Sequence, residues 1–521
     1  MRGSRVLATL IAATFAHATL GCDDATAPPL REVDASSEDG LGPLETITVR
    51  SVAELAGKTR VRGHLVLDLG DATVRLPDLA IVDGDLRLVG SESKRVSAEL
   101  LLPSLVRVGG NVSLAYANGA GRLYAPRLVE VGGHLDLSHG TWSVELAALE
   151  RLNGDLRVSD ATLTRVELPA LGEIGGSVRM KRAALATDVT IAWSALRAVT
   201  GDLLVQGGGP MTIDAPRLLE IGGDLVFEDL AASLSMAGLR DIGGDLRFTG
   251  VTLTGLDLST LRSVGDDLVF EDALGEPLES LSLPALQAVP GDLRATGLAT
   301  LGELRLAALV TVGGDLIILD DPLLASLELK KLATVGRDFV LASVGELSGF
   351  APDALARVGR DLQIARIAVF DARFGKLADV GRDVVLSDVT TTNFGLGALA
   401  KIGRDFAMDG ITGSIEFDEI RFENLRTIGG SVTVRANPSI EKWVAGALIS
   451  VGALVPAGDL VIRDNPALIG FSLTKLGAVS GEIVVRDNPS LDSAQAATAL
   501  SKVQSLTPPL LCGNLGDEAC P

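Results

Sequence analysis

The chain has 521 residues, of which 47% are apolar but only 3% aromatic, and it carries a net charge of −21. Its core must therefore be built from Leu, Val, Ile and Ala, and a nucleic acid is excluded as the main partner because phosphate contacts draw on clustered Lys and Arg. The texture barely changes along the chain, with 59 glycines against three tryptophans and two tyrosines, and this favours one long repetitive domain.

Arg2 and Arg5 precede an apolar run from Val6 to about Leu20, which ends at Gly21-Cys22. That order is the plan of an export signal over residues 1–21, and the run is too short for a good membrane-spanning helix. Thr19-Leu20-Gly21-Cys22 resembles the lipobox of bacterial lipoproteins, in which a small residue precedes a cysteine that is acylated and becomes the new N-terminus. That family usually has Leu three positions before the cysteine; here Leu20 stands two before it. Residues 22–44 are rich in Asp, Glu, Ser, Ala and Pro, bury too little surface to offset their ordering entropy, and read as a flexible acidic tether. Of the three cysteines, Cys512 and Cys520 enclose a short loop and pair most simply with each other in an exported protein. Cys22 is then the odd one, and lipid attachment accounts for it.

Over residues 45–490 a short phrase recurs, seen as IGGDLVFED at 221–229. Aligned on the second position of its glycine pair, it has nineteen copies, from Gly63 through Gly223 to Gly481, at spacings of 21 to 28 residues. A period of about 23 residues is that of a solenoid. The triplet after the turn alternates, as in Leu246-Arg247-Phe248 and Leu362-Gln363-Ile364, which is the two-residue period of a strand with one face to a core. Pro103, Pro126, Pro169, Pro216 and Pro284 punctuate the upstream segment, leaving no room for a long helix in each repeat. The expected fold is all-β: a right-handed parallel β-helix, or leucine-rich-repeat-like solenoid, of about nineteen coils and on the order of 90 Å in length. At least one residue of every glycine pair is Gly, and a positive φ is expected there.

Later copies end in Asn-Pro, as in Ile428-Gly429-Gly430-Ser431-Val432-Thr433-Val434 followed by Asn437-Pro438-Ser439-Ile440. This pattern resembles the receptor L domain, the leucine-rich β-helix module of insulin-type and epidermal-growth-factor-type receptors. The resemblance implies a fold, but not hormone binding. Residues 491–521 are expected to cap the solenoid with a helix over 491–506 and the cysteine loop, and TVRSVAELAG at 48–57 to begin the N-terminal cap.

The residue after the turn is Asp in thirteen copies: Asp85, Asp155, Asp202, Asp224, Asp245, Asp267, Asp292, Asp315, Asp338, Asp361, Asp383, Asp405 and Asp459. Stacked coils place these carboxylates in a row, either to accept hydrogen bonds from turn amides, the favoured reading, or to hold Ca²⁺. Four consecutive copies carry Arg337, Arg360, Arg382 and Arg404 just before that Asp. They form a candidate ligand-binding row for an anionic glycan or phosphate, set against the favoured role of relieving carboxylate repulsion. The outward strand residue is polar in early copies (Arg87, Ser113, Asp136, Arg157, Arg179) and apolar in later ones (Val226, Val269, Ile317, Val340, Val385, Val461, Val484), which suits a partner surface and β-stacking equally.

Little points to catalysis. His64 and His134 occupy the Asp position of the turn, His139 follows, and HExxH, CxxC, nucleophile-elbow and phosphate-loop motifs are absent from the sequence. Glu228-Asp229, Glu271-Asp272 and Asp320-Asp321 are the carboxylate pairs a polysaccharide hydrolase or lyase would use. The expectation is a non-catalytic recognition, adhesion or scaffold module, with no catalytic residue, cofactor or metal assigned. It would be a monomeric lipoprotein at the outer membrane or cell surface, held by its N-terminal lipid and meeting a protein or glycan of the envelope or of another cell.

Overall fold

Each alternating triplet becomes a strand because its two flanking apolar residues point inward while the middle one points out. The coil from Leu225 shows the plan. Strand Leu225–Glu228 buries Leu225 and Phe227, Asp229 turns the corner at φ 55°, and strand Ala231–Ser235 buries Ala232 and Leu234. Met236 and Leu239 then fill the interior, the two-residue strand Asp241–Ile242 buries Ile242, and Gly243-Gly244 leads into the next strand, Leu246–Thr249. The computed structural model describes residues 44–68, 73–89, 99–186, 189–254, 256–272, 279–413, 419–452, 457–518 and 520. The export signal, Cys22 and residues 22–43 of the expected tether lie outside them.

Equivalent strands of successive coils pair in parallel and in register, so Phe227 stacks on Phe248 (ring centroids 5.5 Å apart) and Phe248 on Phe270 (5.2 Å). The post-turn strands run through one sheet along the chain, while the two-residue strands form two further sheets of ten and nine strands. The result is an all-β parallel solenoid of about twenty coils. One continuous core of Leu, Val and Ile with a few stacked rings threads it.

The glycine pair differs from expectation. Of its described glycines only Gly63 has a positive φ. The pair is needed for close approach instead: Gly223 N donates to Gly201 O at 3.0 Å and Gly222 N to Val199 O at 2.8 Å. A Cβ on Gly222 would fall on the Thr200 carbonyl, and one on Gly223 on the Asp202 carboxylate. The left-handed position lies downstream, at the corner after the strand, where His139, Asp160, Arg182, Asp229, Asp272, Asp320, Ser343, Arg366, Asp388, Ala436, Asp464 and Asp487 all take φ near +50°. Asp is common there because its short polar side chain tolerates that conformation.

At the C-terminal end the expected helix is confined to Ser493–Leu500, capped by Asp492 through a 2.8 Å bond from Gln495 N. The chain then makes another coil: Leu510–Cys512 pairs in parallel with Ile483–Arg486. Thr46–Val49 likewise adds a coil before the first glycine copy, on strand His64–Leu67. Cys512 and Cys520 form a disulfide with Cα atoms 5.0 Å apart.

Candidate functional site

The residue after each glycine turn builds the longest polar feature of the molecule. Its side chain accepts a hydrogen bond from the backbone N–H of its counterpart in the next coil. Asp224 accepts from Asp245 N at 2.9 Å, Asp245 from Asp267 N at 3.0 Å, Asp267 from Asp292 N at 2.7 Å and Asp292 from Asp315 N at 2.8 Å. The chain of bonds continues without a break from His64 to Glu482. Asn111, Ser177, Ser431, His64 and His134 stand in for Asp, each offering one acceptor atom. One carboxylate oxygen per coil is thereby committed to holding neighbouring coils together, which is a structural use of the row.

The other oxygen attracts the arginine two residues on, as Asp85 Oδ2 does Arg87 and Asp155 Oδ2 does Arg157, whereas the arginines of the glycine turns reach the ladder oxygen Oδ1 itself. Burial pushes the Asp155 carboxyl up, but the Ser177 amide and Arg157 outweigh it and hold Asp155 below the usual range. The same opposition, with the Asp315 amide, Arg294 and Arg337, lowers Asp292. Burial prevails at Asp267 and Asp361, which are raised. The candidate row Arg337, Arg360, Arg382 and Arg404 sits against this ladder. Arg337 bonds Asp292 and lies 3.3 Å from Asp315; Arg360 is 3.4 Å from Asp338 and Arg382 3.6 Å from Asp361; Arg404 Nε donates to Asp383 at 2.7 Å. The four are drawn together as a row, each neutralised by a ladder carboxylate, and each keeps between 37% and 47% of its side chain exposed.

The nominated carboxylate pairs separate into different jobs. Asp229, Asp272 and Asp320 are left-handed corners, while Glu228 accepts from Gln206 Nε2 at 2.9 Å. Asp321 is fully buried at the position just after the corner, with Oδ1 accepting from Leu298 N at 2.7 Å and Oδ2 without a partner among the described residues. Burial pushes its pKa up to about 7. In the last coils that same position is Asn437, Asn465, Asn488 and Asn514, a second ladder in which Asn437 accepts from Ile411 N and each later Asn accepts from the backbone N–H and side-chain amide of the Asn before. The Asn-Pro motif gave the sequence signal for this ladder; nothing in the sequence marked the corner before it.

Asp245, Asp266 and Asp267 bring carboxylate oxygens within 4.8 Å of one another. Arg247 already reaches this group, at 3.2 Å from Asp245 and 3.6 Å from Asp267. On the side of the two-residue strands, Arg197, Arg240 and Arg262 lie along one exposed row with Leu219, and a shallow groove nearby is lined by Glu150, Arg151, Glu173, Arg197 and Arg217 over Ala170 and Gly172. Glu220 and Asp241 run beside these arginines, so the stripe is a mixed one. Among the outward strand residues, Val226 and Val269 are buried, and Ile317, Val340, Val385, Val461 and Val484 are half-buried. Ile317 stands in register with Val340, and Val461, Val484 and Leu510 follow one another on successive coils.

The chain matches no protein-family model and no curated protein. The Asn-Pro copies seen in the sequence are those whose asparagines, Asn437, Asn465 and Asn488, build the second ladder.

Proposed function

We propose that this chain is an exported, lipid-anchored repeat protein of the cell envelope that works as a non-catalytic recognition, adhesion or scaffold module. The supporting observation is the register. Parallel pairing repeats one outward position on coil after coil, so Ile317–Val340 and Val461–Val484–Leu510 form apolar strips on a sheet tied by the Asp ladder and, in the last coils, by the Asn ladder as well. A rigid strip of this kind suits a partner with an extended complementary surface. Cys22 at the end of a signal-like run supplies the anchor, and the Cys512–Cys520 bridge fits an oxidising compartment.

The test uses the full chain, immobilised and exposed to solubilised envelope from its own cells, beside a Val340→Glu/Val484→Glu variant. A protein or glycan retained by the native chain and lost by the variant is the expected result. No retained partner, together with release of new sugar ends from envelope polysaccharide, would replace this reading with a carbohydrate-active enzyme. Mass spectrometry of the mature N-terminus should find acylated Cys22; an unmodified residue downstream of it removes the anchor.

A further inference from the structure

His64 and His134 carry the same arrangement twice. In each, the next coil's Asp follows 21 residues later and an Arg two residues after that: His64, Asp85, Arg87 and His134, Asp155, Arg157. His64 Nδ1 accepts from Asp85 N at 3.1 Å, and His134 Nδ1 from Asp155 N at 2.8 Å. A backbone N–H can only donate, so each Nδ1 must be unprotonated and each imidazole neutral for the ladder to be intact. The same Nδ1 atoms stand 3.2 Å and 3.5 Å from Oδ2 of Asp85 and Asp155. Those oxygens are held by Arg87 Nη2 and Arg157 Nη2, both at 2.6 Å.

We propose that these two clusters are acid-sensitive joints. When a solvent proton binds Nδ1, the ring can no longer accept the amide of the next coil and donates instead to that coil's Asp carboxylate, in competition with Arg87 or Arg157. The ladder opens at His64–Asp85 and His134–Asp155, and the N-terminal coils loosen while the Asp- and Asn-linked coils beyond do not. His64 faces Asp85 and, through it, Arg87. His134 faces Asp155 and Asp136, which favour the charged ring, and Arg157 and Arg179, which oppose it. Burial is the largest influence on His134 and lowers its pKa. A histidine lowered in the folded state contributes stability that is present above its unfolded value and is lost as pH falls through both values.

Asn111 supplies the control, because its Oδ1 fills the same place and accepts from His134 N at 2.7 Å whatever the pH. Hydrogen exchange on the full chain, corrected for intrinsic rates, is measured at about pH 7.5 and about pH 5, bracketing the ordinary histidine range. Protection of the Asp85 and Asp155 amides is expected to fall about tenfold on acidification, the equivalent of one ladder bond. That of the His134 and Asp245 amides should hold. In His64→Asn/His134→Asn the loss disappears, and in His134→Asn alone only the Asp85 amide keeps it. Unchanged protection in the native chain, or an equal fall in the double Asn variant, overturns the proposal.

Discussion

The coils before Asp315 and those after it solve the same electrostatic problem differently. In the earlier coils the arginine comes two residues after the ladder Asp, at the outward strand position, and reaches that same Asp: Arg87–Asp85 and Arg157–Asp155 at 2.6 Å, Arg294–Asp292 at 2.8 Å and Arg247–Asp245 at 3.2 Å. From Arg337 to Arg404 it comes one residue before the Asp, in the glycine turn, and reaches back to earlier coils: Arg337 bonds Asp292 and Arg404 bonds Asp383 at 2.7 Å, but Arg360 stands 3.4 Å off and Arg382 3.6 Å off. Moving the cation into the turn leaves the outward position free for Val340 or Val385. The interior changes too: the position after the corner is apolar at Leu230, Val251 and Leu298 and becomes Asn from Asn437 onward. One architecture thus accepts the counter-charge in either of two places, and its inner polar column is satisfied on both sides where it is continuous, but not at the isolated Asp321.

Breaking that continuity gives the largest expected effect. Asn465 accepts from Asn437 N and Nδ2 and donates to Val434 O, Arg463 O and Asn488 Oδ1. Asn465→Leu leaves Asn437 N buried without an acceptor and takes one bond from each of the other groups, of which Asn437 Nδ2 keeps Met408 O, Arg463 O keeps Ala436 N and Asn488 Oδ1 keeps the residue 465 amide, for a loss of about 4 kcal/mol. Because solenoid coils contact mainly their neighbours, the damage should be local. Exchange should accelerate over residues 432–514 and leave the earlier coils near their native protection. A uniform destabilisation would mean that the ladders couple the whole chain.

Asp321 is the complementary case, a single polar group in an otherwise apolar stretch of the same column. Its folded pKa of about 7 lies above the ordinary carboxyl value, so the native state holds its proton longer than the unfolded chain does. Stability therefore falls as pH rises from about 4 to about 7 and stays reduced above that. Asp321→Asn keeps the acceptor for Leu298 N and supplies a donor where Oδ2 has no partner, as Asn465 Nδ2 has toward Val434 O. The variant should gain roughly 2 to 4 kcal/mol above pH 7 and lose the slope. Urea titrations of both proteins at several pH values would read it; equal slopes would show that Asp321 does not titrate in this range.

These contrasts also show what the sequence made legible. The glycine pair marks each coil because the clash it avoids admits no other residue in both places, and the triplet after it marks the strand because one face is buried. The left-handed corner was invisible because Asp, Gly, Arg, Ser, His and Ala all occupy it, so no residue type stands out. The coil at Leu510–Cys512 escaped because no glycine pair precedes it. The Asp column was readable as turn chemistry, but its bonds run between coils, and only three-dimensional stacking reveals that an Asp answers to the amide about 22 residues on.

The smallest expected effect sharpens the comparison of the arginines themselves. Arg157 and Arg382 are equally exposed, at 37%, but Arg157 makes two bonds to one oxygen of Asp155, at 2.6 and 3.1 Å, whereas Arg382 stands 3.6 Å from Asp361. Half-exposed pairs of this kind contribute about 1 kcal/mol at most, and less as geometry loosens. Arg157→Gln should lower stability by up to about 1 kcal/mol in low salt, and Arg382→Gln by about half that or less. Both differences should shrink at about 1 M salt, where screening extends to a few ångströms. A larger loss for Arg382→Gln, undiminished by salt, would show that the turn arginines act by packing their stems across coils and not as counter-charges to the ladder.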